Sequence, residues 1–253
     1  MAPVHEEFLR DGHVTVRNIA PRMEVATYKP LIESIVETSK SDSQGRIDDY
    51  SNLFTQVTNV WRVNDRARGI VFDKRFAAAA ARILGVDSVR LYHDQALFKP
   101  AGAGRTPWHQ DRYYWPLDTN LTVTMWLPLV DVTDDMGTMF FASGSHLAKD
   151  LRIAISDSTD QQLEALIKER GWRVSTGPVR VGDATFHSGG TLHSTGPNRT
   201  SITREVLTVI YYAAGTRVAE PANDNQRVDL EAFLPGAKPG DEAKSPLNPV
   251  LYP

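Results

Sequence analysis

The 253-residue chain contains no cysteine. That excludes disulfide staples, zinc–thiolate sites, iron–sulfur clusters and a cysteine nucleophile. Any metal must sit on His, Asp or Glu, a donor set suited to iron or manganese. Apolar runs long enough to span a bilayer are also missing, and the N-terminal MAPVHEEFLRDGH lacks the apolar core of a secretion signal. Charge of one sign is not in excess: 28 Lys and Arg stand against 31 Asp and Glu, for a net charge of −3. That balance makes no electrostatic case for nucleic acid or an anionic membrane. There is no Walker loop, no dinucleotide glycine fingerprint, no G-x-S-x-G elbow and no internal repeat. The expectation is a cytoplasmic protein, monomer or homodimer, that acts on a small molecule.

Hydrophobic residues make up 41% and charged residues 23% of the chain, as in ordinary globular proteins. A chain this long can bury a substantial core without staples. The first third reads as mostly helical. GHVTVRN (12–18) alternates as a short strand. Pro21 then opens a helical stretch with Val25, Tyr28, Ile32, Ile35 and Val36 on one face. Pro30 inside it predicts a kink or a restart. The polar stretch 41–51 reads as a loop, with a lid as one possible use. Residues 67–85 read as one Ala-rich helix stopped by Gly85.

From Val89 onward the pattern changes to strands: 90–100, 121–132, 137–146, 179–189 and 204–214, with one helix at 159–170. Gly182-Asp183 reads as a tight hairpin turn. After Gly215 the chain is polar and Pro-rich, either loosely ordered or folded back over the strands. Helices followed by many short strands predict a mainly β fold with flanking helices: a double-stranded β-helix, or jelly roll, of cupin type. The expected organisation is a single domain, 1–253. It comprises a helical N-terminal part (about 19–86), a jelly-roll core (about 88–214) and a C-terminal tail (215–253).

The chemistry centres on His109 and Asp111. On an extended strand, residues i and i+2 share a face about 6–7 Å apart, close enough to grip one ion. A lone H-x-D is common, so the second half matters. TLHSTGPNRTSITREVLTVIYY (191–212) sets His193 before a turn and Arg204 at the start of an apolar strand. Two imidazoles and a carboxylate form the facial triad that leaves coordination positions open on a non-haem iron. A buried guanidinium costs heavily without an anion, and a bound diacid would relieve that cost through a charge-assisted pair.

Together, WHQDRYYW (108–115), FFASGSH (140–146), Gly182-Asp183, LHSTGPNRT (192–200) and Arg204 resemble the phytanoyl-CoA dioxygenase family of iron(II)/2-oxoglutarate oxygenases. The resemblance runs from about Gly12 to Ala214. It implies iron(II), 2-oxoglutarate and O2 as cofactor and co-substrates. It implies His109, Asp111 and His193 as iron ligands, with Arg204 and Thr195 on the distal carboxylate of 2-oxoglutarate. It also implies Trp126 as an aromatic wall of that pocket and Gln95 as a residue near the co-substrate. Family halogenases lack the metal-binding carboxylate; Asp111 is present here, which speaks against halogenation.

Other residues carry two readings. His187, six residues before His193, is the rival third ligand. It otherwise reads as a substrate-facing or metal-supporting residue, or as packing. Trp108, Tyr113, Tyr114 and Trp115 surround the H-x-D pair as core or as an aromatic substrate pocket. His93 and Asp94 are adjacent, so they face opposite ways. His146 reads as a structural turn residue, and His5 and His13 as surface. Glu6-Glu7, Asp48-Asp49 and Asp134-Asp135 read as solvated surface. No Lys/Arg cluster suggests a CoA phosphate. The expected reaction is oxidation of an unactivated C–H bond of a small metabolite, by hydroxylation, epimerisation, cyclisation or desaturation, in bacterial natural-product biosynthesis. The alternatives are a redox-silent cupin-type metal isomerase and a non-catalytic protein that binds metal or 2-oxoglutarate.

Overall fold

In the computed structural model, residues 2–42, 53–148, 151 and 157–253 are described. The chain runs α1 (Ala2–Asp11), β1 (His13–Val16), α2 (Arg22–Asp42), β2 (Thr55–Thr58), α3 (Val60–Val63), α4 (Asp65–Val71), α5 (Lys74–Leu84) and β3 (Val89–Lys99). It continues with β4 (Thr106–His109), a 3-10 turn (Asp111–Tyr113), β5 (Thr122–Pro128), β6 (Met139–Ala142) and a second 3-10 turn (Ser145–Leu147). The remainder is α6 (Asp157–Glu169), β7 (Val174–Thr176), β8 (Ala184–Ser188), β9 (His193–Thr195), β10 (Arg204–Ala213), α7 (Asp224–Phe233) and β11 (Val250–Tyr252).

Two antiparallel sheets face each other. The larger has the order β1-β8-β5-β10-β3-β11, with β2 also paired to β3; the smaller has the order β4-β9-β6-β7. The sheets meet across the interior, where His13 of β1 stacks on Phe141 of β6 at 4.6 Å. Alternation decides what each face of the larger sheet does. Val123, Met125, Leu127, Leu207, Val209 and Tyr211 point outward into the main core, against Ile32, Ile35, Phe76, Ala77, Ala80 and Ile83 of α2 and α5. The intervening residues point to the inner face, where Trp126 packs with Met139 and Phe141 of the smaller sheet and Ile210 with the C-terminal aromatic cluster. Burying each large apolar side chain contributes about 1.5–3 kcal/mol, so this layer anchors the sheet whose other face carries the polar groups.

Several local expectations change. The helix expected over 67–85 is two helices, because the Asp73 carboxylate accepts from Arg75 N–H and starts α5 afresh. Gly85, at φ 71°, ends α5 as expected. Helix α2 continues through Pro30. The loop expected at 41–51, and with it Asp48-Asp49, falls almost entirely outside the described residues. The strand expected over 179–189 begins only at Ala184, since residues 180–183 form a turn closed by Asp183 N–H to Arg180 C=O. That turn leads into β8, which pairs with β1 and β5, so it is not a hairpin. The segment after Gly215 is folded back: α7 packs on the inner aromatic cluster and β11 joins the edge of β3.

His13 is buried, contrary to a surface reading. It stacks on Phe141 and lies 2.9 Å from Ser143 Oγ, and burial pushes its pKa down to about 4. His5 is half-buried, with Nδ1 2.9 Å from Ile83 C=O.

Gly182 sets the entry to β8. Its φ is +97°, and a Cβ there would stand 2.7 Å from the Ala20 carbonyl oxygen. Gly182→Ala is expected to cost about 1–3 kcal/mol from the strained conformation alone, lowering the thermal midpoint by roughly 2–4 °C per kcal/mol in a chain of this size. A melting curve unchanged from wild type would contradict this.

Candidate active site

His109 ends β4, Gln110 is extended, and Asp111 opens the 3-10 turn. The strand on which both were expected to lie therefore stops between them. They nevertheless converge. His193 is the register partner of His109 across β4 and β9, and their rings lie 4.1 Å apart. Asp111 Oδ1 lies 3.8 Å from His109 Nε2 and 3.5 Å from His193 Nε2. Ligand atoms from His109, Asp111 and His193 all lie within 4.8 Å of one another. The Asp111 turn is tied down by its neighbours: Gln110 Nε2 donates to Gly190 C=O, and Arg112 N–H to Gly189 C=O at 2.9 Å.

The donor set suits a divalent metal. His109 Nδ1 sits 2.8 Å from Pro107 C=O, and His193 Nδ1 sits 3.0 Å from Thr191 C=O. A carbonyl only accepts, so each Nδ1 carries the proton and each Nε2 lone pair is free for a cation. Burial, reinforced by the neighbouring imidazoles, pushes both histidines down to about 4, leaving them neutral ligands at pH 7. Burial acts to raise the Asp111 carboxyl, but the surrounding imidazoles and a hydrogen bond from His187 outweigh it. They hold it well below the usual carboxylate range. Two neutral imidazoles and one carboxylate, with His193 buried and His109 and Asp111 half-buried, fit iron(II).

Arg204 begins β10 and is 2% exposed. Its Nη1 donates to Gly137 C=O at 3.1 Å, its guanidinium lies 5.5 Å from the Trp126 ring centre, and Nε has no partner. Among the described residues no carboxylate pairs with it. Burial alone brings its pKa down to about 10, so it stays charged. Thr195, two residues after His193 on the same face, donates to Thr106 Oγ1 at 2.8 Å. Gln95 lies half-buried opposite Thr208, itself opposite Trp126, so these three form one inward rung.

Two residues here escaped sequence reasoning. Lys99 is fully buried, is the register partner of Arg204, and donates to Gly104 C=O, Gly196 C=O and Thr106 Oγ1 at 2.7–3.3 Å. Burial, with the charges of Arg204 and Arg105, pushes it down to about 7. Thr106 faces inward because β4 carries a bulge: Thr106 pairs with Thr195 and His109 with His193, three residues against two. The available signal was a Lys-Pro at the end of a strand, ten residues before His109.

The aromatic pocket is corrected in part. Trp108 packs with Leu163, Ile167 and Leu192 in the cluster under α6. Adjacent strand residues face opposite ways, so it points away from His109. Trp115 is buried with Tyr92, Tyr212 and Phe233 beneath the C-terminal segment. Both are core. Tyr113 is half-buried against Tyr114, and its carbonyl accepts from Asn223 and Gln226. His187 does not join the three ligands; it meets Asp111 through the other carboxylate oxygen, Nε2 to Oδ2 3.2 Å. His93 and Asp94 face opposite ways as expected: Asp94 accepts from Val60 N–H, while His93 stacks on Phe233 at 4.1 Å. His146 sits 3.2 Å from Leu9 C=O, tying its turn to α1. A cavity of about 510 Å³ is lined by Glu33, Phe98 and Glu205 on the opposite face of the sheet from Arg204. It has no part in this site.

A model of the phytanoyl-CoA dioxygenase (PhyH) family matches residues 8–206. Ectoine dioxygenase of Streptomyces anulatus is 25% identical over 233 residues, which cover 83% of this chain and 77% of that protein. A probable alpha-ketoglutarate-dependent hypophosphite dioxygenase of Stutzerimonas stutzeri is 26% identical over 231 residues, covering 84% and 79%. Among solved structures, the non-heme alpha-ketoglutarate-dependent carbocyclase SnoK from nogalamycin biosynthesis superimposes with a TM-score of 0.82 at 22% identity. The match covers 99% of this chain and 96% of that one. The epimerase SnoN of the same biosynthesis gives 0.77 at 24% identity, covering 99% and 97%. These structures establish the shared jelly-roll fold. The family match spans the triad, Thr195 and Arg204, and the chain belongs to the phytanoyl-CoA dioxygenase family of iron- and 2-oxoglutarate-dependent oxygenases.

Proposed function

We propose that His109, Asp111 and His193 hold iron(II) and that Arg204, Lys99 and Thr195 receive the distal carboxylate of 2-oxoglutarate. The observation that carries this reading is the buried, unpaired guanidinium of Arg204. It is linked to the histidines through Lys99, Thr106 and Thr195. A charge buried there without an anion is costly, and a dicarboxylate anchored on the metal would supply the anion. Bound together, iron(II), 2-oxoglutarate and O2 supply an oxidant able to cleave an unactivated C–H bond, with 2-oxoglutarate leaving as succinate and carbon dioxide.

The chain's own residues orient and exclude water. Pro107 and Thr191 carbonyls fix both imidazoles. Trp126 covers the guanidinium. Trp115, Tyr92 and Phe233 seal the C-terminal side with apolar surface. The substrate we infer is a small organic molecule of natural-product type. The carbocyclase and epimerase with this fold support that choice, and hydroxylation, epimerisation, cyclisation and desaturation remain equal readings of the triad. Among the described residues no helix is long and apolar enough to cross a membrane. We place the protein in the cytoplasm, as a monomer or homodimer.

The test is anaerobic addition of iron(II) and 2-oxoglutarate to metal-free protein. A weak visible charge-transfer band should appear, and a screen should then find substrates that stimulate succinate formation. A protein that gives no band would overturn the reading.

Lys99 adds a pH dependence. In the free protein its pKa is about 7, so above that pH it is neutral. A bound dianion favours the ammonium, so binding above pH 7 takes up a proton. Affinity for 2-oxoglutarate should fall as pH rises from 7 to 9, by up to about tenfold per unit for one linked proton. Calorimetry in buffers of different ionisation enthalpy would read the proton directly, and Lys99→Met should flatten the slope.

A further inference from the structure

We infer that His187 is the positioning residue of Asp111: with Thr124 it occupies one carboxylate oxygen and leaves only the other for the metal. The inference rests on the metal reading above. The two oxygens of Asp111 have different surroundings. Oδ1 faces His109 and His193. Oδ2 faces the larger sheet, where Thr124 Oγ1 donates at 3.0 Å and His187 Nε2 stands at 3.2 Å. Thr124 and His187 are register partners on β5 and β8, so one rung presents both donors to one atom.

His187 is built to stay there. It is 2% exposed and packs against the rings of two register partners on the facing sheet, His193 at 4.3 Å and Phe141 at 5.5 Å. Its Nδ1 is buried without a partner. A proton left on that atom would be an unpaired buried donor, so the proton belongs on Nε2, aimed at Asp111. Outer partners of this kind orient a ligand and tune its basicity. Here they also keep Asp111 from gripping with both oxygens, which would fill a position that co-substrate and oxygen need. The same contact bars His187 from ligand duty, since its one free nitrogen points elsewhere.

Cobalt(II) binding to the full chain tests this without turnover. Titration calorimetry reads affinity, the visible d–d spectrum reads coordination, and circular dichroism checks the fold. His187→Leu should weaken cobalt binding about 10- to 100-fold and change the d–d spectrum. His187→Gln, which keeps an N–H donor at similar reach, should stay within about threefold of wild type, by the same measure of an intact outer partner. Thr124→Val should give a smaller loss. Affinity and spectrum unchanged in His187→Leu would overturn the inference. Loss in His187→Gln as complete as in Asp111→Ala would also overturn it, by making His187 a ligand. If His187→Leu does not fold, the glutamine variant decides alone: retained binding supports positioning and lost binding refutes it. Wild-type protein that takes up no cobalt removes the metal site itself, and the inference with it.

Discussion

Asp111→Ala is expected to abolish the visible band formed by iron(II) and 2-oxoglutarate and to weaken metal binding by at least about 100-fold. That figure is the upper end of what losing an outer partner costs, and here a ligand itself is removed. The variant leaves two neutral imidazoles and no anion, so the charge that draws a divalent cation into a buried site is gone. It also leaves Thr124 Oγ1 and His187 Nε2 aimed at nothing. Each buried donor left unmade costs about 1–3 kcal/mol, so metal-free Asp111→Ala should melt below wild type. Asp111→Asn separates the effects: its oxygen can still accept from the sheet, recovering part of the stability, while the missing charge keeps metal affinity low. Calorimetric metal titration beside thermal melts would check both. Wild-type metal affinity in Asp111→Ala would leave the site assignment without support.

Arg204→Met should produce the opposite pairing of effects. Removing one member of a buried charge pair costs a complex about 2–5 kcal/mol, roughly 30- to several-thousand-fold in affinity. Binding of 2-oxoglutarate should weaken by that much, with metal affinity nearly unchanged, because Arg204 touches none of the three ligands. Without co-substrate, however, the guanidinium is an uncompensated buried charge beside Lys99. Replacing it with an apolar side chain of similar length should therefore leave the free protein as stable as wild type or more so. Saturating 2-oxoglutarate should raise the melting temperature of metal-loaded wild type, as a ligand that binds only the folded state must, and leave Arg204→Met nearly unmoved. A variant destabilised when free yet binding normally would make Arg204 a structural residue.

Parts of this molecule are legible in one dimension because short-range rules govern them. The outward face of β5 and β10 shows as alternation. Gly85 ends a helix because its φ is positive. His193 and Thr195 share a face because they are two apart. His109, Asp111, His193 and Arg204 could be picked out as candidates because donor chemistry narrows the choice and because the segments that carry them resemble the family's motifs.

What the polymer order settled by itself was therefore the class of chemistry and the layered β architecture, since donor identity and hydrophobic period are local properties. Tertiary structure decided the rest. A bulge between Thr106 and His109 breaks the period of two, so parity counting from His109 cannot place Thr106 inside. Lys99 meets Arg204, and His187 meets Asp111, only because β3 pairs with β10 and β8 lies against the turn after β4. His13 is buried because the smaller sheet closes over β1. Such contacts join residues up to about 130 positions apart, and their free energy exists only once the sheets have assembled, which is why no window of sequence contains it.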